Sequence, residues 1–173
     1  IVTSDGALAE RCRMYANHGA LVKHQHRMEG INSRLDGLQA AVLSTKLPHI
    51  HAWTAARRAH ARAYISVLQG IDGIVLPEER PDTEHSWHLF VIQVRDRDAL
   101  MEHLKRAEIE TAIHYPTALP LLPAYAYLGK TAKDLPVAAA LQGSILSLPM
   151  YPELQDRSIQ HVADTIRSFY AGA

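Results

Sequence analysis

The residues best suited to chemistry lie around Asn32, in a polar stretch that precedes a long helical pattern. Asn32, Arg34 and Asp36 follow a His-rich loop and come directly before the first apolar positions of that helix. An Asn before a helix ordinarily accepts a backbone N–H bond as a cap. Its amide can instead donate a hydrogen bond to an anion held near the helix start. Spacing alone leaves both roles open, and Arg34 and Asp36 could simply pair or cap.

His114 and Tyr115 form the second candidate group. They end a predicted strand and open a Pro-rich loop at Pro116. A residue before proline is held extended, which fixes the direction of the Tyr115 side chain. The neighbouring imidazole could donate a proton or a hydrogen bond to a ligand. Taken alone, a His-Tyr pair at a strand end is also a common structural feature.

The chain contains 11 histidines, and some of them are spaced closely enough to suggest a metal site. Zinc and similar metals usually bind such pairs together with cysteines or with carboxylates at fixed offsets. Neither accompanies these pairs, so we expect no metal site. The pairs considered are His24 with His26, His49 with His51, and His85 with His88.

Other catalytic motifs are missing from the sequence. It has no Gly-x-Ser-x-Gly nucleophile elbow, no phosphate-binding loop and no dinucleotide glycine fingerprint. Cys12 is the single cysteine and falls on an apolar helical stripe, where an inert core thiol is expected. A lone cysteine rules out an internal disulfide, which suits a cytoplasmic protein.

Composition limits the classes of partner. The 18 basic and 18 acidic side chains cancel, so nothing favours nucleic acid or an anionic membrane. We interpret Arg57, Arg58 and Arg62 as a solvated helix face. No apolar run approaches the ~20 residues of a membrane span. An apolar share of 47% is sufficient for a packed core.

Hydrophobic periodicity predicts an α/β fold. A first helix, capped by Ser4 or Asp5, and a loop over residues 18–31 lead to a long helix over residues 35–68, which Pro48 should kink or interrupt. The remainder predicts one sheet with helices on one face, a small α/β sandwich. Its predicted strands span residues 74–76, 86–94, 111–114 and 145–148. Three helices are predicted among them: one that begins at Asp96 or Asp98, one over residues 138–142, and a last one with the apolar stripe Ile159, Val162, Ile166 and Phe169.

Read together, these motifs resemble those of the DegT-type (DegT/StrS) sugar aminotransferases. The ordered set covers essentially the whole chain, although no single motif is decisive. The matching segments are Asn17-His18-Gly19, Gly30-Ile31-Asn32-Ser33-Arg34-Leu35-Asp36, Leu38-Gln39-Ala40-Ala41-Val42-Leu43, Trp87-His88-Leu89-Phe90-Val91-Ile92, His114-Tyr115-Pro116, Pro123-Ala124-Tyr125 and Leu146-Ser147-Leu148-Pro149-Met150-Tyr151-Pro152.

The resemblance implies a homodimeric fold-type I enzyme that uses pyridoxal 5'-phosphate. Such an enzyme moves an amino group from an amino acid, commonly glutamate, to a keto-sugar attached to a nucleotide. Residues 1–50 would be the end of the cofactor-binding large domain and the start of a long linking helix. Residues 51–173 would form the small C-terminal α/β sandwich domain.

The same resemblance suggests roles for three residues. Asn32 matches the family position that reaches across the dimer to the cofactor phosphate of the partner subunit. His114 and Tyr115 match a loop that borders the sugar-nucleotide site. The loop of residues 18–31 would line the partner's substrate cleft.

The Schiff-base lysine of the family precedes the segment that matches Ile1, so we expect this chain to be a C-terminal portion without a catalytic residue of its own. None of Lys23, Lys46, Lys105, Lys130 and Lys133 matches the lysine motif. We therefore expect the isolated chain to be inactive. Two alternatives stay open. One is a dehydratase of the same fold, in which histidine replaces the lysine, and the other is a non-catalytic interaction or regulatory domain.

Overall fold

The computed structural model describes residues 1–172 and divides the chain into two compact units. The first unit comprises Ile1–His49 and the second Ile50–Ala173. Among the described residues, no helix is both long and apolar enough to cross a membrane.

The first unit contains two helices joined by a long loop. Helix α1 spans Gly6–Ala16, and its N-cap is Asp5, whose carboxylate accepts from the backbone N–H groups of Ala7 and Leu8 at 2.9 and 3.0 Å. Helix α2 spans Gly37–Lys46 and continues into a 3₁₀ turn at Leu47–His49. The predicted interruption near Pro48 is therefore confirmed, since proline lacks the N–H that an α-helical interior requires.

The apolar stripes of the first unit are largely exposed within that unit. In α1 the side chain of Met14 is buried, whereas Leu8 and Tyr15 are about half exposed. Helix α2 has no buried residue, and Leu38 on it is 80% exposed. Contacts inside this unit consequently do not use the apolar face that the sequence pattern places on α2.

The second unit is a three-stranded antiparallel sheet with helices. Its strands pair in the order β1-β2-β3, with Ile74 opposite Val94 and Phe90 opposite Leu148. Three 3₁₀ turns, Leu119–Leu121, Pro123–Leu128 and Ala132–Asp134, occupy the Pro-rich segment. The regular elements are α3 (Ile50–Leu68), β1 (Ile74–Val75), β2 (Phe90–Val94), α4 (Arg97–Arg106), α5 (Pro136–Leu141), β3 (Ile145–Leu148) and α6 (Asp156–Ala171).

The core lies between one sheet face and helices α3, α4 and α6. Burial alternates along β2, so Phe90, Ile92 and Val94 face the core while the residues between them are only partly buried. The Tyr64 ring of α3 stacks on Phe90, with ring centroids 4.9 Å apart. Helix α6 buries the predicted stripe that includes Ile159 and Ile166. The predicted sandwich of one sheet with helices on one face is confirmed.

Three predicted strands are shorter in the structure, although β1 lacks only the last predicted residue. Pairing over residues 86–94 begins only at Phe90, because Trp87 adopts a left-handed backbone with φ 49° that does not fit a strand. The segment 111–114 contributes a single bridge, Ala112 with Ser147. It runs directly into Pro116, which lacks the N–H that would extend a ladder.

Candidate functional site

Asn32 is fixed by a backbone strap that ties its loop to the end of α1. The N–H of Ile31 donates to the Tyr15 carbonyl at 2.7 Å, and the N–H of Ser33 donates to the Ala16 carbonyl at 2.9 Å. Between these bonds Asn32 forms an isolated bridge with Asn17. These two hydrogen bonds fix the backbone position from which the Asn32 side chain extends.

Two glycines make this strap possible. A Cβ atom on Gly30 would lie 2.3 Å from the backbone nitrogen of Gly19, which is far inside van der Waals contact. Gly19 itself has φ +79°, and a Cβ there would lie 1.6 Å from the Met28 carbonyl oxygen. The two segments can approach this closely only where both residues lack a side chain.

The Asn32 side chain uses its oxygen internally and leaves its amide nitrogen as a donor. Arg34 Nε donates to Asn32 Oδ1 at 3.0 Å, and Arg34 Nη1 donates to Asn17 Oδ1 at 3.4 Å. Within residues 1–172 no hydrogen bond occupies Asn32 Nδ2, and Asn32 is exposed. The amide therefore presents free N–H groups beside a guanidinium.

The alternative interpretation of Asn32 as a helix cap is wrong. The N-cap of α2 is Asp36, whose backbone N–H donates to Gln39 Oε1 at 3.0 Å. Asn32 lies upstream of that cap, in the bridge to Asn17. Among the described residues, no carboxylate is bonded to the side chain of Asn32 or Arg34. An amide and a guanidinium that keep free N–H donors are groups that bind a phosphate. The chemistry present thus fits a phosphate-bearing cofactor.

His114 and Tyr115 lie in the second unit, whereas Asn32 lies in the first. His114 Nδ1 is 2.9 Å from the Oγ of Ser147, a serine that is only 4% exposed. Tyr115 is 71% exposed, and its ring meets His114 edge-on with ring centroids 5.3 Å apart. The imidazole is therefore held by the strand, while the phenol is free to contact a ligand.

His114 also lines a cavity of about 770 Å³ in the second unit. One wall is the segment 108–112, and the other is the first part of α6. The 149–151 segment lies between them and contributes Tyr151. A volume of this size is in the range of small-molecule sites.

A set of polar side chains on α3, which the sequence patterns did not reveal, positions this segment. Arg57 Nη1 donates to the Met150 carbonyl at 2.8 Å, His60 Nε2 to the Pro152 carbonyl at 3.0 Å, and Tyr64 Oη to the Pro149 carbonyl at 3.1 Å. We call these three residues the α3 clamp. Burial raises the pKa of the Tyr64 phenol far above its ordinary value. The spacing of three and four residues could have predicted that these side chains share one face of α3. It could not have predicted that this face binds the 149–152 segment.

The interpretation of the α3 arginines as a solvated face is also wrong for two of them. Arg57 is half-buried in the clamp, and Arg58 donates to the His85 carbonyl at 3.0 Å and pairs with Glu84 at 2.8 Å. The hydrogen bond from Arg58 lowers the pKa of the Glu84 carboxyl. Arg62 alone of the three stays exposed without such a bond among the described residues.

The predicted His pairs do not assemble into a ligand set. Within residues 1–172, no three His, Cys, Asp or Glu side chains are grouped so as to hold a metal ion. Several histidines are used in local bonds instead. His26 Nδ1 lies 2.7 Å from the His18 carbonyl, and His85 Nδ1 accepts from the Trp87 N–H at 2.9 Å.

The fold is that of the fold-type I sugar aminotransferases. The crystal structure of DesV from S. venezuelae matches with a TM-score of 0.89 at 43% identity, covering 98% of this chain and 46% of that chain. The family model for the DegT/DnrJ/EryC1/StrS aminotransferases matches residues 1–167. The chain belongs to this family, whose members depend on pyridoxal phosphate.

Two curated relatives are similar over almost the whole chain. The erythromycin biosynthesis sensory transduction protein EryC1 of Saccharopolyspora erythraea is 46% identical over 97% of this chain. The dTDP-3-amino-3,4,6-trideoxy-alpha-D-glucose transaminase of Streptomyces venezuelae is 43% identical over 98%. The match covers 46% and 45% of these relatives, so the chain spans about half of their length.

Proposed function

We propose that the chain is the C-terminal portion of an aminotransferase that moves an amino group from an amino acid, glutamate by our expectation, to a nucleotide-linked keto-sugar. The observation that carries the proposal is the fixed Asn32 amide with its free N–H groups beside Arg34. Membership of the aminotransferase family supports it. Residues 1–50 would complete the cofactor-binding large domain, and residues 51–173 would be the small domain.

In this proposal Asn32 binds the phosphate of pyridoxal 5'-phosphate held by the partner subunit. The cofactor supplies the electron sink on which amino transfer depends. Asn32 Nδ2 would donate to a phosphate oxygen, and Arg34 would keep the amide oriented by holding its Oδ1. A neutral amide binds that oxygen without adding another charge to an ionic site.

His114 and Tyr115 would contact the sugar-nucleotide. His114 is oriented through Ser147, so it can present Nε2 in a set direction. Tyr115 offers an exposed ring and hydroxyl, a combination suited to stacking on a sugar or base and to hydrogen bonding. These two residues would bind and orient the substrate rather than transfer protons.

A homodimer follows from the role proposed for Asn32. The exposed apolar face of α2, with Leu38 80% and Leu43 56% exposed, supports a covering partner, because large apolar patches usually mark an interface. We propose a second subunit as that partner. The lone Cys12 suits a cytoplasmic enzyme.

The Schiff-base lysine would come from the part of the relatives that this chain does not cover. Lys23, Lys46, Lys105, Lys130 and Lys133 are all exposed, which is unlike a lysine desolvated for Schiff-base chemistry. We therefore expect the chain by itself to form no stable, saturable cofactor adduct. Titration with pyridoxal phosphate, borohydride reduction and peptide mapping tests this expectation, and a single labelled lysine would contradict it.

The positive test uses a fusion of this chain to the upstream half of the S. venezuelae transaminase. We expect it to bind the cofactor and to aminate a dTDP-linked keto-sugar with glutamate as donor. Asn32→Ala should weaken cofactor retention roughly tenfold or more, since a hydrogen bond to a charged group is lost. Gln69→Ala, at an exposed position outside the candidate site, is the control.

Three results would count against the proposal. Dehydration of the sugar without amination would favour the dehydratase alternative. A folded fusion that neither binds cofactor nor turns over would favour the non-catalytic alternative. Equal cofactor retention by Asn32→Ala and Gln69→Ala would remove the role assigned to Asn32.

A further inference from the structure

The cavity between the segment 108–112 and α6 carries opposite charges on its two walls. Glu108 and Glu110 lie on the first wall, and Arg157 lies on the second. None of these side chains forms an ion pair in the part of the chain that the structure describes, residues 1–172. The space between the walls therefore keeps complementary charges available to a ligand.

Both walls are anchored from behind, so the cavity is formed before a ligand arrives. The first wall is held by Ile109, which is 6% exposed, and by paired backbone bonds between Ala112 and Ser147 at 2.8 and 3.2 Å. The second wall belongs to α6, which is fixed to the core by Ile159 and Val162. A preformed site loses little affinity to reorganisation on binding.

The surface between the charged walls is largely apolar. Leu148, Met150 and Leu154 contribute to it, and Tyr151 adds an aromatic ring. His161 Nε2 lies 3.3 Å from the Ala107 carbonyl, and because that oxygen only accepts, the ring nitrogen must donate. Arg157 is therefore the cationic donor that remains uncommitted on this wall, among the described residues.

We infer that this cavity binds a small zwitterion with an apolar body, the chemical class of an α-amino acid with a large apolar side chain. The ammonium group would face the carboxylates of Glu108 and Glu110. The carboxylate would pair with the guanidinium of Arg157, and the side chain would lie on the apolar surface. Removal of that surface from water supplies affinity, while the charged walls supply specificity.

The inference concerns the second unit and needs no cofactor and no turnover. A failed cofactor test would leave it intact, and a failed binding test would leave the aminotransferase proposal intact. The cavity and the proposed sugar-nucleotide contact share His114.

The test uses three probes that share one aromatic body. L-phenylalanine carries both charges, 3-phenylpropanoate lacks the ammonium group, and 2-phenylethylamine lacks the carboxylate. Binding is followed by NMR chemical-shift changes in the ¹⁵N-labelled chain. We expect saturable shifts at residues of the two walls with L-phenylalanine, a Kd of roughly 1 mM for a ligand of this size, and about fivefold weaker binding of each analogue.

Single substitutions assign the two charges. Glu110→Gln should reduce the advantage of L-phenylalanine over 3-phenylpropanoate, and Arg157→Gln should reduce its advantage over 2-phenylethylamine. Both residues are exposed, so the fold should tolerate these changes. Glu10→Gln and Arg62→Gln, which lie outside the cavity, should bind all three probes as the parent chain does.

The inference is overturned by equal binding of the three probes, which would indicate an apolar cavity without charge selection. Absence of saturable shifts at about 20 mM L-phenylalanine, well above the expected Kd, would overturn it as well. A preference for L-phenylalanine over both analogues that persists in Glu110→Gln and in Arg157→Gln would show that other groups recognise the charges of the ligand.

Discussion

Replacement of Arg57 by methionine tests how the second unit holds the loop beside its cavity. The substitution keeps an apolar stem and removes the guanidinium. Nη1 lies 2.8 Å from the Met150 carbonyl, 3.2 Å from that of His88 and 3.5 Å from that of Trp87. This nitrogen carries only two hydrogens, so the bonds to Met150 and His88 should carry most of the interaction.

The cost of Arg57→Met follows from these two bonds. A hydrogen bond from a charged donor contributes about 1.5–3 kcal/mol, and the half-buried position of Arg57 favours the lower end. The methionine recovers part of the packing of the arginine stem. We therefore expect a loss of about 2–3 kcal/mol in the free energy of unfolding of the second unit.

Tryptophan fluorescence during urea unfolding measures this loss. The chain has 2 tryptophans, Trp53 and Trp87, and both belong to the second unit, so the fluorescence reports that unit. With a denaturant slope of about 1–2 kcal/mol per molar urea, the midpoint should fall by roughly 1–3 M.

Arg62→Met is the matched control, because Arg62 lies on the same helix, is exposed and makes no comparable bond among the described residues. We expect it to change stability by less than about 0.5 kcal/mol. A midpoint for Arg57→Met that coincides with that of Arg62→Met would refute the assigned role of the guanidinium.

Two further predictions concern Tyr64 and Gly30. Burial raises the folded-state pKa of Tyr64, so on raising the pH the unfolded chain loses its phenolic proton before the folded chain does. The free energy of unfolding should therefore fall as the pH rises above about 10. Tyr64→Phe should flatten that fall in urea titrations at alkaline pH, and near neutral pH it should cost about 1 kcal/mol of stability through loss of the bond to Pro149. Gly30→Ala places a Cβ 2.3 Å from the Gly19 nitrogen, so amide exchange at Ile31 and Ser33 should accelerate, whereas Gly6→Ala, with open space around it, should leave exchange there unchanged.

The elements with strong local patterns could be predicted from the sequence. Helix α6 repeats apolar residues at spacings of three and four, and β3 is a short apolar run before Pro149, so local information sufficed. The segment 86–89 was wrongly predicted as strand. Its β-rich composition is overridden by the left-handed Trp87 and by the bonds from Arg57 to the Trp87 and His88 carbonyls.

The candidate site was predictable only in part. Asn32 could be singled out by its type and neighbours, but its pairing with Asn17 and the Arg34 bond to its oxygen depend on a close approach of two segments. The role of Asn32 toward a phosphate stays a prediction, as do those of His114 and Tyr115. The opposed charges of the cavity could not be predicted, because residues 108–110 and Arg157 are distant along the chain and line one cavity only after folding.

The α3 clamp shows why loop geometry could not be deduced from the loop itself. The clamp residues lie 85 to 93 positions before the carbonyls they bind. Their partners are backbone oxygens, which any loop sequence would offer, so no residue pattern in 149–152 points to α3. Yet the loop carries Tyr151 and Met150 to the edge of the cavity. The helix that supports the core from one side therefore also holds the loop that borders the cavity. We expect the stability of the second unit and the proposed ligand binding to depend on the same three side chains.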